Sequence, residues 1–138
     1  MTLVDSNVII DVLDRDPGWF DWSAAALAEA ASGHVQINSI VVAELSRGFD
    51  SIAALRIEMQ SLDVDIVSLD DASAFEAGKR FQQFRRVRPP SENARVLPDF
   101  LIGAHALTLQ VPLLTRDPRL YRRYFPELTL ITPETDNG

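Results

Sequence analysis

Four acidic residues stand at positions where a chain could use them for chemistry: Asp5, Glu44, Asp99 and Asp117. Asp5 and Asp117 each follow a short apolar run typical of a strand, and Asp99 opens a predicted helix. Glu44 lies on the apolar stripe of another predicted helix, where a charge is costly unless something compensates it. Taken singly, the aspartates are explained equally well by helix capping or the helix dipole, and Glu44 by pairing with an arginine.

The positions of these acids relative to one another favour a metal site. If the sheet is parallel, Asp5, Asp99 and Asp117 can meet at one edge, because the carboxyl ends of the strands open into one crevice. Glu44 could enter the same pocket from its helix. Carboxylates gathered there would repel one another and require cations or protons. Oxygen ligands without His or Cys select hard ions, so we expect Mg²⁺, with Mn²⁺ able to substitute, and metal-assisted phosphoryl chemistry.

The stretch LVDSNVIIDVL, residues 3–13, organises this arrangement. Its first apolar residues end a strand, and after Asp5 the apolar residues recur with helical spacing. Further strands are predicted at 35–38, 66–69, 112–115 and 129–132, and helices at 17–32, 40–49, 51–62, 72–88, 98–110 and 118–123. Ser39, which follows the predicted strand 35–38, is expected to cap the helix at 40–49. Residues 89–96 are expected to form a loop.

Strands alternating with helices predict an α/β fold: a single domain with a central parallel sheet of about four to five short strands flanked by helices. We expect this domain to span residues 1–133, with a C-terminal tail at 134–138. A chain of 138 residues is long enough for one buried core.

The composition removes several classes of site. The chain has no cysteine, which excludes disulfides and thiolate metal sites. The two histidines, His34 and His105, are far apart in sequence and are expected at the surface. No apolar run reaches the roughly 18 residues of a membrane span, and an acid at position 5 does not suit a signal peptide. These features predict a soluble cytoplasmic protein with no membrane partner.

The formal net charge is −7, but positive charge is concentrated in two basic windows, 79–95 and 116–123. Together they contain ten of the 13 basic residues and only two acids, Glu92 and Asp117. Positive charge collected in this way suits an anionic partner, although a solvated helix face would show the same pattern.

Four segments in order resemble the successive motifs of PIN-domain ribonucleases, and most of all the VapC-type toxins of toxin–antitoxin pairs. They are LVDSNVIIDVL, VVAEL, PDFLIGAHAL and LLTRDPRLY, and the resemblance extends from Thr2 to about Thr132. It places the family's acidic quartet on Asp5, Glu44, Asp99 and Asp117, as metal ligands and catalytic residues. It also implies Mg²⁺-dependent endoribonuclease activity, a homodimer and inhibition by a cognate antitoxin.

Within this resemblance, Asn7 and Thr115 match polar positions that would orient the ligands or a water molecule. Arginines of the two basic windows would bind RNA phosphates; the candidates are Arg85, Arg86, Arg88 and Arg116. Two features depart from the family pattern. Arg119 and Leu120 stand where some relatives carry a further acid, and the loop around Pro89 looks longer than usual.

Other functions remain open at this point. A catalytically degenerate PIN-like module that binds protein or RNA partners would have the same fold. Receivers need a lysine on a late strand, but Lys79 is the only lysine. Haloacid-dehalogenase-like phosphatases need Asp two residues after the nucleophile, where Asn7 stands. Aromatic residues near both ends of the chain suggest an interface; they are Trp19, Phe20, Trp22, Tyr121, Tyr124 and Phe125.

Overall fold

A five-stranded parallel sheet forms the centre of the computed structural model, which describes residues 1–87 and 90–136 and, of these, the side chains outside 90–95 and 135–136. The strands are β1 (Thr2–Val4), β2 (Val35–Asn38), β3 (Val64–Val67), β4 (Leu113–Leu114) and β5 (Leu130–Ile131). Their order is β3-β2-β1-β4-β5, and all pairings are parallel. The predicted α/β class and parallel sheet are confirmed.

Helices connect the strands. In chain order they are α1 (Ser6–Leu13), α2 (Phe20–Ala31), α3 (Ser39–Leu45), α4 (Ile52–Ser61), α5 (Asp71–Val87), α6 (Pro90–Leu109), α7 (Arg119–Tyr124) and α8 (Pro133–Asp136). A single 3₁₀ turn, Ser46–Gly48, follows α3. Across residues 1–87 and 90–136, none of the helices combines the length and apolar character that crossing a membrane requires.

The largest departure from the predicted elements is at α6, which begins at Pro90 and includes residues 90–96, predicted as a loop. Proline is favoured at the first position of a helix, and this rule fits Pro90 as well as Pro98. Pro98 instead lies inside the helix, where it removes one backbone hydrogen bond. Packing of α6 along α5 stabilises the longer helix in spite of that loss.

Smaller departures have local causes. Helix α2 begins at Phe20 because Asp16 accepts the N–H groups of Gly18 and Trp19, both at 2.9 Å, in a turn before the helix. Asn38, not Ser39, caps α3: its Oδ1 accepts two backbone N–H groups at 3.0 Å. Strand β3 lies two residues earlier than predicted, in the register that pairs it with β2.

The core fixes the strand that precedes Asp5. Leu3 and Val4 of β1 are fully buried between its neighbours β2 and β4. Helix α6 packs closely against Phe125, the residue that follows α7: a Cβ at Gly103 would lie 2.9 Å from the Phe125 ring. The strand order reverses at β1, so the crevice between the carboxyl ends of β1 and β4 is the position where such sheets bind ligands.

Candidate active site

Asp5 is the buried centre of the site. It follows β1, caps α1 through Oδ1, which accepts the Ser6 N–H at 2.8 Å, and is 4% exposed. Its Oδ2 accepts the hydroxyls of Thr115 and Tyr121 at 2.9 and 3.0 Å. Burial raises the pKa of Asp5, while these hydrogen bonds oppose the rise. Every donor to this carboxylate is a neutral group, so its charge has no cationic partner within the described residues.

Asp99 extends from α6 into the same cleft. Burial raises its pKa to about 7, and repulsion by the other three predicted acids adds to the rise. No ion pair to Asp99 is found among the described residues. The raised pKa is that expected of a carboxyl that is partly buried and placed beside other carboxyls.

Glu44 reaches the site from α3, but not as the sequence predicted. The buried residues of α3 are Val41 and Leu45, and Glu44 itself is exposed, so its assignment to a buried stripe was wrong. Its Oε1 accepts the Ser6 hydroxyl at 3.0 Å, which links it to the residue after Asp5. Although the residue as a whole is exposed, partial burial of its carboxyl group raises the pKa of Glu44, the hydrogen bond from Ser6 opposes the rise, and the charge of Asp5 adds to it.

Asp117 follows β4 and is the most accessible of the aspartates in the site. Its side chain is 55% exposed, and its Oδ1 accepts Nε of Arg119 at 3.3 Å. The backbone N–H of Asp117 donates to Thr115 Oγ1 at 3.1 Å. The backbone of Asp117 is thus tied to Thr115, while its carboxylate is exposed at the cleft.

Asn7 and Thr115 connect these acids, as their predicted orienting role requires. The Asn7 amide donates to Thr115 Oγ1 at 3.3 Å and to Asp5 Oδ2 at 3.4 Å. The Thr115 hydroxyl is fully buried between Asp5 and the turn that carries Asp117. A single hydrogen-bond network therefore joins the ends of β1 and β4.

Two residues of the site were missed by sequence reasoning. Ser6 links Asp5 to Glu44, and its only signal was its place beside Asp5. Tyr121 was assigned to an interface, but it is 1% exposed and donates to Asp5; Phe125, assigned in the same way, is fully buried. The sequence carried no clear signal for Tyr121, because its contact with Asp5 joins segments far apart in the chain.

The predicted RNA-binding arginines differ in their surroundings. Arg85 and Arg86 are exposed in the last turn of α5, whereas Arg88 lies outside the described residues. Arg116 donates to both carboxylate oxygens of Asp11, at 2.6 and 3.1 Å, and its guanidinium lies 5.3 Å from the Trp19 ring centroid. These contacts give Arg116 a structural role.

His105 is also not where the sequence predicted. It is 1% exposed rather than at the surface, and its Nδ1 lies 3.2 Å from the Asn38 amide nitrogen. Burial lowers its pKa. His105 therefore supports the cap of α3 and does not line the acidic cleft.

Three of the four acids border a cleft of about 500 Å³. Asp5, Asp99 and Asp117 line it together with the cationic side chains of Arg119 and Arg123. Glu44 borders an adjoining depression instead. Among the side chains that the structure describes, no three acidic or histidine groups lie closely enough together to hold an ion as they stand. The donor set and its mutual repulsion suit a hard cation, and rotation of the exposed Glu44 and Asp117 would complete the ligation.

A parallel sheet with acids at its reversal point is an α/β architecture that several families share, and comparison with known families identifies which one. A family model of the PIN domain matches residues 2–126. The chain belongs to the PIN-domain family.

Solved structures with the same fold include VapBC2 from Rickettsia felis bound to a promoter DNA fragment, with 20% identity, a TM-score of 0.70 and coverage of 95% of this chain and 97% of that one. A toxin–antitoxin complex from Klebsiella pneumoniae has 22% identity, a TM-score of 0.69 and coverage of 96% and 98%. FitAcB from Neisseria gonorrhoeae has 19% identity, a TM-score of 0.66 and coverage of 97% and 99%. No curated protein matches the chain.

Proposed function

We propose that this protein is a Mg²⁺-dependent endoribonuclease and the VapC-type toxin of a toxin–antitoxin pair. The observation that carries the proposal is a pair of uncompensated acids, Asp5 and Asp99, in one cleft at the reversal point of a PIN fold. A purely structural buried acid would be paired with a cation.

Asp5, Asp99, Glu44 and Asp117 would hold the ion. Bound Mg²⁺ supplies charge neutralisation at the phosphate and an acidified water. Overall, a water oxygen forms a bond to phosphorus, the P–O3′ bond breaks and the 3′ oxygen takes up a proton, leaving a 5′-phosphate. Attack by the 2′-hydroxyl would need a base of its own; the described lining residues include no histidine or lysine, and the carboxylates are assigned here to the cation.

The exposed cations around the cleft suit a nucleic-acid backbone. Arg119 and Arg123 line it, and Arg85 and Arg86 lie at the end of α5. RNA phosphates would pair with these groups, whereas Arg116 would maintain the fold through Asp11. Because solved neighbours are toxin–antitoxin complexes, we propose that a cognate antitoxin covers the cleft in the cytoplasm and that the protein forms a homodimer.

The decisive experiment incubates the purified protein with end-labelled RNAs of differing loop structure. Cleavage should require Mg²⁺ or Mn²⁺, stop in EDTA and leave 5′-phosphate ends. Asp5→Asn should be inactive, whereas Asp21→Asn, the same change at an exposed position of α2, should cleave normally. Robust cleavage in EDTA would refute the proposed mechanism.

The alternative is a catalytically inactive PIN-like module that acts through protein or RNA partners. It is favoured by the lack, within the described part of the chain, of three acids already grouped around an ion position. RNA binding without cleavage at any Mg²⁺ or Mn²⁺ concentration would support this alternative.

A further inference from the structure

Tyr121 is a neutral donor placed against the central acid of the site. Its side chain is 1% exposed, and its hydroxyl donates to Asp5 Oδ2 at 3.0 Å. The ring packs against Phe125, with the ring centroids 6.4 Å apart. Burial of the ring and this hydrogen bond together place the hydroxyl against Asp5.

The two oxygens of Asp5 are not equally occupied. Oδ2 accepts two hydroxyls, from Thr115 and Tyr121, and a longer bond from Asn7 at 3.4 Å. Oδ1 accepts only the backbone N–H of Ser6. An ionised carboxylate oxygen has about two lone-pair positions. Oδ2 is therefore filled, whereas Oδ1 retains a lone pair.

We infer that Tyr121 is a positioning residue that, with Thr115, fixes Asp5 so that Oδ1 is the oxygen available to a cation; this rests on the proposed metal-dependent function. A phenol stabilises the carboxylate charge without neutralising it. An arginine at this position would supply the positive charge that the cation has to bring.

The chain offers a matched control. Tyr124 lies on the same helix, and its hydroxyl is buried with no hydrogen-bond partner in the described part of the protein. Tyr121→Phe and Tyr124→Phe therefore delete the same atom, one with a carboxylate partner and one without. Electron paramagnetic resonance of Mn²⁺ in the absence of RNA measures the affinity of the cation site directly.

Tyr121→Phe should weaken Mn²⁺ binding by roughly 10-fold or more, the range found when groups that orient metal ligands are removed. Tyr124→Phe should stay within about twofold of wild type, because its hydroxyl orients nothing. In the cleavage assay, Tyr121→Phe should need about 10-fold more Mg²⁺ for half-maximal rate, while the rate at saturating Mg²⁺ changes little.

The outcomes separate this inference from the proposed function. Equal Mn²⁺ affinity in Tyr121→Phe and wild type, with wild type cleaving RNA, would overturn the inference alone. Equal weakening in both tyrosine variants would also overturn it, because loosened packing would then be the cause. Wild-type protein that binds no Mn²⁺ would overturn both. If Tyr121→Phe does not fold in EDTA, Thr115→Val removes the other hydroxyl on Oδ2 and should weaken Mn²⁺ binding in the same direction.

Discussion

Two buried aspartates, one at the N-cap of α1 and one inside it, have opposite surroundings. Asp11 is 1% exposed, and its carboxylate accepts hydrogen bonds from Nε and Nη2 of Arg116 and from the Ser23 hydroxyl at 2.8 Å, so its charge is compensated. Asp5 is 4% exposed and receives only neutral donors. The pair shows that burial alone does not mark a functional acid. What distinguishes Asp5 is a desolvated charge left without a cation, beside further acids.

The largest effect should come from removing the uncompensated charge. Asp5→Asn should abolish cleavage, a loss of at least about 100-fold, because the cation that supplies several kcal/mol to the transition state loses its central ligand. In EDTA the variant should melt at or above wild type, by up to about 3–5 °C per kcal/mol of repulsion relieved. It should also lose most of the stabilisation that Mg²⁺ gives wild type.

Calorimetry in EDTA and in Mg²⁺, together with the RNA assay, tests this expectation. An Asp5→Asn protein that melts well below wild type in EDTA yet still cleaves RNA would assign Asp5 to the structure, like Asp11.

The same substitution at Asp11 should have the opposite effect: it should lower stability and leave cleavage intact. Asp11→Asn leaves Arg116 without its carboxylate, and breaking a buried pair costs about 3–5 kcal/mol. Because the Arg116 side chain is 29% exposed, water recovers part of this cost, and we expect a loss of about 1–3 kcal/mol. Urea unfolding measures it. Cleavage below the melting temperature should persist, and a stable but inactive Asp11→Asn would remove the contrast between the two acids.

The third effect concerns pH. The pKa of Asp99 is raised from 3.8 to about 7, so the folded protein holds this proton more tightly than the unfolded chain. The resulting stabilisation is complete below about pH 4 and is lost as the pH rises through about 7. For a half-buried group we expect about 1–2 kcal/mol of this dependence.

Asp99→Asn should flatten this part of the profile, measured as the free energy of unfolding in EDTA between pH 4 and pH 8. Mg²⁺ should flatten the wild-type profile as well, because bound cation takes the place of the proton. A wild-type profile identical to that of Asp99→Asn would show that neither burial nor the neighbouring acids raise the pKa of Asp99 in the folded protein.

The smallest effect should come from exposed arginines that pair with no acid in the described structure. Replacing Arg85 and Arg86 by Ala should reduce the slope of log K against log salt for RNA binding by about 1.4, at roughly 0.7 per phosphate contact on single strands. Arg56→Ala, an exposed change on α4, is the control. Filter binding from low to moderate salt gives the slopes. An unchanged slope would leave these arginines as a solvated face or a partner surface.

Much of the fold was predictable because local patterns decide it. The change of period at Asp5 predicted a strand followed by a helix, and β1 and α1 lie there. Alternating strands and helices predicted the parallel sheet. The start of α6 was not predictable, because Pro90 and Pro98 satisfy the same positional rule and only packing against α5 favours the longer helix.

The candidate site, like the fold, was predictable only in part. The types and order of the acids, and hence the chemistry they suit, are properties of the sequence. Whether an acid is compensated depends on residues distant in the chain: Asp11 meets Arg116, and Asp5 meets Tyr121, only because β4 pairs with β1. Local sequence also placed Glu44 on a buried stripe and His105 at the surface, and both were wrong, since burial is decided by what other elements cover. The sequence by itself determined the acids and the order of strands and helices. The tertiary structure alone decided which charges remain free, because compensation is a contact between segments.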